Sequence, residues 1–423
     1  MTPSGGRPPT PPAGSAGGDL SGIVKAYDIR GVVGAQLTEE LVAGFGAAFA
    51  RLMRAEGANA VVIGHDMRDS SPALSAAFAG GVTTQGVDVV SIGLASTDQL
   101  YYASGSLDLP GAMFTASHNP AAYNGIKLCR AGASPVGQES GLTEIREAIE
   151  QGVPAHDGPQ GTVTERDVLD GYAGYLRELV DLSGIRPLRV VVDAGNGMGG
   201  HTVPTVFGGI AGLPVTVEPL FFELDGTFPN HEANPLDPNN IVDLQAKVRA
   251  TGADAGLAFD GDADRCFVVD ERGEPVTPST ITALVAVREL AKEPGGTVIH
   301  NLITSKAVPE IVAEHGGKPL RTRVGHSFIK ETMAETDAIF GGEHSAHYYF
   351  RDFWRADTGM LAALHVLAAL GEQDGPLSAL AAGYRRYAGS GEINSTVDDQ
   401  VARQLAVKDT FARQPGVLID ELD

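Results

Sequence analysis

Apolar and polar positions follow two periods along this chain. Short runs rich in β-branched residues, bounded by glycine, asparagine or aspartate, read as strands: Val61–Gly64, Val89–Gly93, Met113–Thr115, Arg189–Asp193, Ala255–Phe259, Cys266–Asp270 and Thr297–His300. Between them, apolar residues recur every three or four positions, the spacing that gives a helix one apolar face. These stretches are Thr38–Glu56, Thr143–Gln151, Val168–Leu182, Ile241–Thr251 and Ile281–Lys292. Such alternation predicts stacked α/β units with largely parallel sheets. One core rarely serves 423 residues, so several domains are expected. Gly/Pro punctuation sets borders near 155–165, 271–276 and 385–392. The expected organisation is a disordered tail at 1–20, α/β domains at 21–160, 161–272 and 273–388, and a partial C-terminal domain at 389–423. Strand-then-glycine turns in the first two domains hint at a repeated unit.

Charge narrows the partners. Thirty-one Lys and Arg against 53 Asp and Glu leave a net −22. That field opposes nucleic acid and anionic membranes. It opposes phosphate ligands too, so a phosphate site has to be a local pocket of named Arg, Lys and His residues. Two cysteines, Cys129 and Cys266, make no disulfide framework and fit a reducing compartment. Residues 1–18 are rich in Pro, Gly and Ser without an apolar stretch, so they read as a tail and not as a signal peptide. No apolar run reaches the ~18 residues of a membrane span. A cytoplasmic location is the expectation.

Three segments carry chemistry. Thr115-Ala116-Ser117-His118-Asn119-Pro120 follows a strand, where open α/β sheets bind ligands. Pro120 restricts Asn119 and the turn would hold up the Ser117 hydroxyl. Asn124-Gly125 is a hairpin signal that would return Lys127 to the serine. The second segment is Asp260-Gly261-Asp262-Ala263-Asp264-Arg265, whose alternate carboxylates can converge on one hard cation. An EF-hand needs glycine where Arg265 stands, although Glu271 occupies its twelfth position. Arg265 after three carboxylates suits a place where metal and phosphate meet. The third is Gly341-Gly342-Glu343-His344-Ser345-Ala346-His347. In an extended loop, Glu343, Ser345 and His347 would point one way and suit vicinal hydroxyls. His344 with His347 is a possible zinc pair that lacks supporting context. Each segment alone also has a plainer reading, as a turn cap, an acidic surface turn or a polar loop. Smaller pieces are Lys25–Gly31, Gly64–Arg68, and Val324–Ser327 at the start of a helical run. Asp193–Gly200 reads as a tight strand-to-helix turn, because its glycines lack dinucleotide-binding spacing.

In combination, TASHNP with Lys127, then DGDADR, then GEHSAH resemble the phosphoserine, metal and sugar loops of the phosphohexomutases, in that order. KAYDIRG and VGHSFIK are similar to further segments of that family. The resemblance covers roughly residues 21–395. It implies three consecutive mixed-sheet α/β domains around a central cleft, for phosphoserine, metal and sugar in turn, plus an incomplete C-terminal domain. It implies Ser117 as the phosphoryl carrier, with Mg²⁺ held by Ser117, Asp260, Asp262 and Asp264. Lys127 and Arg30 would assist proton transfer and charge balance, with His118 beside the phosphoserine. Tyr27, Arg265, Gly325 and His326 would line the cleft, and Glu343, Ser345 and His347 would meet the sugar. The implied reaction interconverts hexose 6-phosphate and hexose 1-phosphate of mannose or glucose, with a bisphosphosugar as intermediate and activator. Oligomeric state is left open.

Two departures accompany the resemblance. Ala346 stands where the family commonly has glycine. The family's closing loop, R-x-S-N/G-T-E-P, does not occur before the chain ends at Asp423, although Ser390–Asn394 resembles the start of the domain that would carry it. The expectation is a truncated enzyme. Losing two or three charge-assisted hydrogen bonds to phosphate would weaken transition-state binding by about 3–9 kcal/mol. Phosphoglucosamine mutase, a phosphoserine hydrolase and a non-catalytic sugar-phosphate binder are the alternatives.

Overall fold

The same local construction recurs in three sheets. A buried strand runs parallel to a neighbour, ends in a loop, and the chain returns antiparallel on its other side. The structure, a computed structural model, describes residues 20–208, 213–389, 391, 395–419 and 421–422, with the side chains of His326 and Ser327 outside that description. Residues 1–19 of the expected tail and, apart from Gly391, the Ser390–Asn394 segment lie outside the described residues, whereas Leu20, the last residue of that tail, is buried in the first core.

The first sheet contains β1 (Ile29–Val32), β2 (Ala60–His65), β3 (Asp88–Leu94), β4 (Gly111–Phe114), β5 (Tyr123–Arg130), β6 (Ser134–Pro135) and β7 (Val163–Glu165). Its order is β1-β5-β4-β2-β3-β7, with β6 on β5. Strand β4 is parallel to β2 and antiparallel to β5, in a register that places Met113 opposite Lys127. Helices α1 (Glu39–Ala55), α2 (Ser71–Thr84), α3 (Thr97–Leu107) and α4 (Leu142–Gln151) belong to the same segment. Thr38 caps α1 by accepting from Leu41 N, and Val42, Phe45, Phe49 and Met53 form its buried stripe. With Phe78 and Phe114 these residues build a core of their own, each phenylalanine contributing about 1.5–3 kcal/mol by burial.

The second segment holds α5 (Leu169–Leu179), β8 (Leu188–Asp193), α6 (Gly199–Gly208), β9 (Val215–Leu220), α7 (Val242–Thr251), β10 (Ala255–Phe259), β11 (Cys266–Asp270) and β12 (Pro275–Val276), with sheet order β12-β11-β10-β8-β9. Strand β10 is buried at every residue, as expected of a central strand covered on both faces. The third holds α8 (Pro278–Lys292), β13 (Thr297–Asn301), α9 (Ala307–Glu314), β14 (Lys318–Thr322), α10 (His326–Thr336), β15 (Phe340–Gly342), β16 (Tyr348–Phe350), β17 (Ala356–Asp357), α11 (Gly359–Gly371) and α12 (Leu377–Ala382), with sheet order β14-β13-β15-β16-β17. One continuous apolar core runs through both segments, from Val190 and Leu257 to Ile281 and Leu364. A last helix, α13 (Gln400–Ala412), buries none of its residues.

The strands and helices expected from periodicity are all present, and the sheets are mixed. The first sheet takes in Val163–Glu165 and the second Pro275–Val276, a few residues past the expected borders. We place the domain borders after those strands. Asn124-Gly125 is not the hairpin turn. Both residues lie inside β5, and the reversal is made by 115–122. The reason is packing: a Cβ on Gly125 would stand 2.5 Å from Ile29 O, and Asn124 Nδ2 donates to Ser70 and Ser71. The Glu343–His347 loop is a tight turn and not an extended strand, closed by Glu343 N donating to His347 O at 3.0 Å. Ala346 adopts φ 66° there, the left-handed region that favours glycine.

Candidate active site

The serine loop joins β4 to β5. Ser117 is itself left-handed, at φ 51°, a conformation that costs a non-glycine residue roughly 1–3 kcal/mol unless its surroundings impose it. Thr115 Oγ1 accepts from Ser117 N at 2.9 Å. The main restraint is Arg68, whose guanidinium is buried. It donates to the carbonyls of Ser117 (3.0 Å), Asn119 (2.7 Å), Pro120 (3.0 Å) and Tyr123 (3.1 Å). Asp66 pairs with Arg68 Nε at 3.2 Å and also accepts from Ser71 Oγ at 2.6 Å. Arg30 reaches the same loop through Asn119 Oδ1 at 2.8 Å.

The aspartate loop joins β10 to β11 and lies against the serine loop. A Cβ on Gly261 would stand 2.4 Å from Ser117 O, so only glycine permits this approach. Ser117 Oγ donates to Asp260 Oδ2 at 2.8 Å. Arg265 donates to Asp260 Oδ2 (2.9 Å from Nε), to His118 Nδ1 (2.6 Å from Nη2) and to Ser117 Oγ (3.4 Å). Lys127 Nζ donates to Asp262 Oδ2 at 2.7 Å and Asp264 Oδ2 at 2.5 Å. Thr97 holds Asp262 twice, side chain to Oδ2 at 2.6 Å and backbone N to carbonyl O at 3.0 Å.

The electrostatics follow from burial. Asp260, Asp262 and Asp264 are essentially inaccessible, with ligand oxygens within 4.8 Å of one another. Two cations face three carboxylates, so all three cannot be ionised without leaving a net negative charge in a dry site. Burial pushes Asp260 up to about 8, against the pull of Arg265 and with repulsion from Asp264 and Asp262. Burial would raise Asp262 as well, but Lys127 and Thr97 hold it well below the usual range. Lys127 is likewise opposed by burial, yet Asp262 and Asp264 lift it well above the ordinary lysine value, so it carries its proton. The residues fit a divalent cation: Asp262 Oδ1 and Asp264 Oδ1 are buried without a hydrogen-bond donor, and an all-oxygen set suits a hard ion. His118 differs from its neighbours. Burial, then Arg265 and Arg30, lower it to about 3, so it is a neutral ring that accepts from Arg265 through Nδ1.

The third loop joins β15 to β16. His347 Nε2 stands 3.9 Å from Asp264 Oδ1, and its Nδ1 meets Ser345 Oγ at 2.9 Å. The Glu343 carboxylate is committed to the fold, accepting from Asn301 Nδ2 (3.0 Å), Tyr349 Oη (2.7 Å) and Gly325 N (3.4 Å). His344 Nδ1 meets Ser279 Oγ at 3.1 Å, and the group of candidate metal-ligating side chains that includes His347 holds Asp264 and Asp357 and not His344. Gly325, at φ 131°, starts α10 against Tyr27, where a Cβ would stand 2.5 Å from Oη. Tyr27 meets Phe328 edge-on at 5.9 Å. His326 opens α10, and its side chain lies outside the described residues. The structure thus brings Ser117, His118, Lys127, Arg265, the three aspartates and His347 together, with Arg30 at the rim. Periodicity and motif give no indication of Thr97 as part of this site, and they single out Gly64–Arg68 only as a small piece after a strand, without the role that Arg68 has here.

The family model for phosphoglucomutase/phosphomannomutase, alpha/beta/alpha domain I, matches residues 21–155. Those for domains II and III match 170–273 and 277–387. The chain belongs to this family, and it is a phosphohexomutase-type isomerase. It is 40% identical over 377 residues to a phosphomannomutase of Escherichia coli, covering 88% of this chain and 82% of that one. A solved phosphoglucomutase/phosphomannomutase family protein from Burkholderia thailandensis superposes with TM-score 0.80 at 35% identity, covering 86% of this chain and 80% of that one. An N-acetylphosphoglucosamine mutase of Aspergillus fumigatus, solved with GlcNAc-6P and magnesium, shares the fold alone, with TM-score 0.53 at 13% identity over 84% of this chain and 78% of that one. Among the described residues, no helix is long and apolar enough to cross a membrane.

Two predictions follow from this geometry. Arg68→Met leaves four carbonyls and Asp66 without their donor, and should cost about 3–5 kcal/mol in denaturant unfolding. Nuclear magnetic resonance of ring-labelled histidine should show His118 neutral from pH 8 down to pH 5. Its folded value lies below the unfolded one, about 6.5. Its stabilising contribution is therefore whole above that value and is lost as pH falls toward 3.

Proposed function

We propose that the chain interconverts hexose 6-phosphate and hexose 1-phosphate of mannose or glucose, with Ser117 as phosphoryl carrier and a 1,6-bisphosphosugar as intermediate. The observation that carries this reading is Ser117 Oγ placed 2.8 Å from Asp260 and 3.4 Å from Arg265, on a loop whose backbone is held in a left-handed turn. An exposed serine would be solvated and free to rotate. Here the hydroxyl is fixed between an anion that can give way to a cation and a guanidinium that can meet phosphoryl oxygens.

In the first half-reaction the Oγ–phosphorus bond of phospho-Ser117 breaks and a bond from a sugar hydroxyl oxygen to phosphorus forms. The hydroxyl gives up one proton and Ser117 Oγ gains one. Lys127, protonated and 2.5–2.7 Å from Asp262 and Asp264, passes one proton to Ser117 Oγ and takes the sugar hydroxyl's proton in return, so it ends the step protonated and balances charge throughout. Arg265 faces the transferring group, and neutral His118 orients Arg265 through Nδ1. Arg30 is placed to meet phosphate at the rim, and Ser345 with His347 to meet sugar hydroxyls. Tyr27, Gly325 and His326 complete the wall. Asp260, Asp262 and Asp264 would hold Mg²⁺ with the Ser117 phosphoryl group, and that cation would offset charge spread over the phosphoryl oxygens. The second half-reaction returns the other phosphoryl group to Ser117 after the bisphosphosugar has turned end for end. The three buried carboxylates, two of them with an oxygen lacking a donor, support the cation, and the phosphomannomutase relative at 40% identity supports a hexose phosphate as ligand.

The test is conversion of mannose 1-phosphate to mannose 6-phosphate with Mg²⁺ and a bisphosphosugar activator, and with Ser117→Ala in parallel. Turnover that vanishes in the variant is expected. Release of inorganic phosphate in place of the isomer would make the chain a hydrolase, and turnover that survives in Ser117→Ala would remove the serine from the mechanism.

A further inference from the structure

Asp98 occupies the second position of α3, next to Thr97. It is fully buried where the three domains meet. Its Oδ2 accepts from Tyr172 Oη of α5 at 2.7 Å and from Thr358 Oγ1 at 2.7 Å, and its Oδ1 accepts from Ser96 Oγ at 2.5 Å. Tyr172 belongs to the second segment. Thr358 belongs to the third, where it caps α11. The surroundings are aromatic: Tyr102 packs edge-on against Tyr172 and Trp354, each at 6.1 Å. Among the described residues no cation pairs with Asp98. A carboxylate buried without one is costly, and hydroxyl hydrogen bonds recover only part of that cost. Burial accordingly moves its acidity toward neutral, to about 6. The carboxylate is the acceptor that three buried hydroxyls from three segments share, so it can set how those segments meet.

Both neighbours of this tie lead to the aspartate loop. Thr97, adjacent to Asp98, holds Asp262 by side chain and backbone. Asp357, adjacent to Thr358, lies with His347 and Asp264 in a group whose ligand atoms fall within 4.8 Å of one another. Lys330 of α10 pairs with Asp357 at 2.7 Å and sits over the ring of Tyr101 in α3 at 4.0 Å, joining the third segment to the first at the same junction.

We infer that Asp98 is a positioning residue that registers all three domains on the aspartate loop, setting through Thr97 and Thr358 how tightly Asp262 and Asp264 hold a divalent cation. This rests on the metal assignment above. Groups that orient metal ligands from behind typically change metal affinity about 10–100-fold when removed.

The test is Mn²⁺ affinity of the full chain, read by electron paramagnetic resonance without substrate, with thermal unfolding to show that each variant is folded. Asp98→Asn should weaken Mn²⁺ binding about 10–100-fold. Tyr172→Phe, which deletes one hydroxyl and little else, should weaken it less, and Thr358→Ser, which keeps the hydroxyl, should retain it. Folded Asp98→Asn and Tyr172→Phe with unchanged affinity would overturn the inference. If Asp98→Asn does not fold, unchanged affinity in Tyr172→Phe overturns it. Asp262→Asn separates the two levels. Loss of binding there with none in Tyr172→Phe and Asp98→Asn sinks only the role of Asp98, whereas equal binding by wild type and Asp262→Asn sinks the metal assignment itself.

Discussion

Asp260, Asp262 and Asp264 crowd three carboxylates into a buried loop, where among the described residues Lys127 and Arg265 are the cations hydrogen-bonded to them, and the surrounding structure is arranged around that imbalance. Like charges at this distance in a dry site repel strongly, which is why burial and repulsion drive Asp260 up to about 8 while Lys127 pulls Asp262 down. A divalent cation bound there would reverse the sign of the cluster and make it attractive to a phosphoryl group. Ser117 stands within hydrogen-bond distance of Asp260, and every element that fixes Ser117, from Arg68 to Gly261, fixes it relative to that charge.

The three-sheet architecture explains how residues from distant parts of the chain reach one point. In each sheet the working loop follows a buried strand that is parallel to one neighbour and antiparallel to the next: β4 to β5, β10 to β11, β15 to β16. Loops at the carboxyl ends of such strands are where α/β sheets bind ligands. The first two loops are in direct contact, and the third reaches Asp264 through His347. Function in this fold is therefore a property of how the sheets are set against one another as much as of any single motif.

Much of this was legible in the sequence, for physical reasons that also explain what was not. Strands such as Ala255–Phe259 and helices such as Glu39–Ala55 announce themselves because burial imposes a period on nearby residues. Ser117, the three aspartates and His347 were readable because each lies in a short contiguous motif. Thr97 and the role of Arg68, whose segment stood out only for following a strand, were not, because their partners lie elsewhere in the chain: Arg68 meets Pro120 and Tyr123, and Thr97 meets Asp262. Asp98 joins Thr358 across 260 positions. Asn124-Gly125 misled because the turn preference of that pair is weaker than the packing that makes Gly125 part of a strand. The alternation of Glu343, Ser345 and His347 suggested an extended loop, whereas a turn groups His347 with Ser345, with its Nδ1 3.5 Å from Glu343 Oε2, while Glu343 also ties Asn301, Tyr349 and Gly325.

The account stands most directly on where a divalent cation sits. Crystals of the chain grown with Mn²⁺ and measured for anomalous scattering would show it. The account predicts a single strong peak among the carboxylates of Asp260, Asp262 and Asp264, beside Ser117. Turnover-competent crystals with no peak there, or with the ion bound elsewhere, would contradict it.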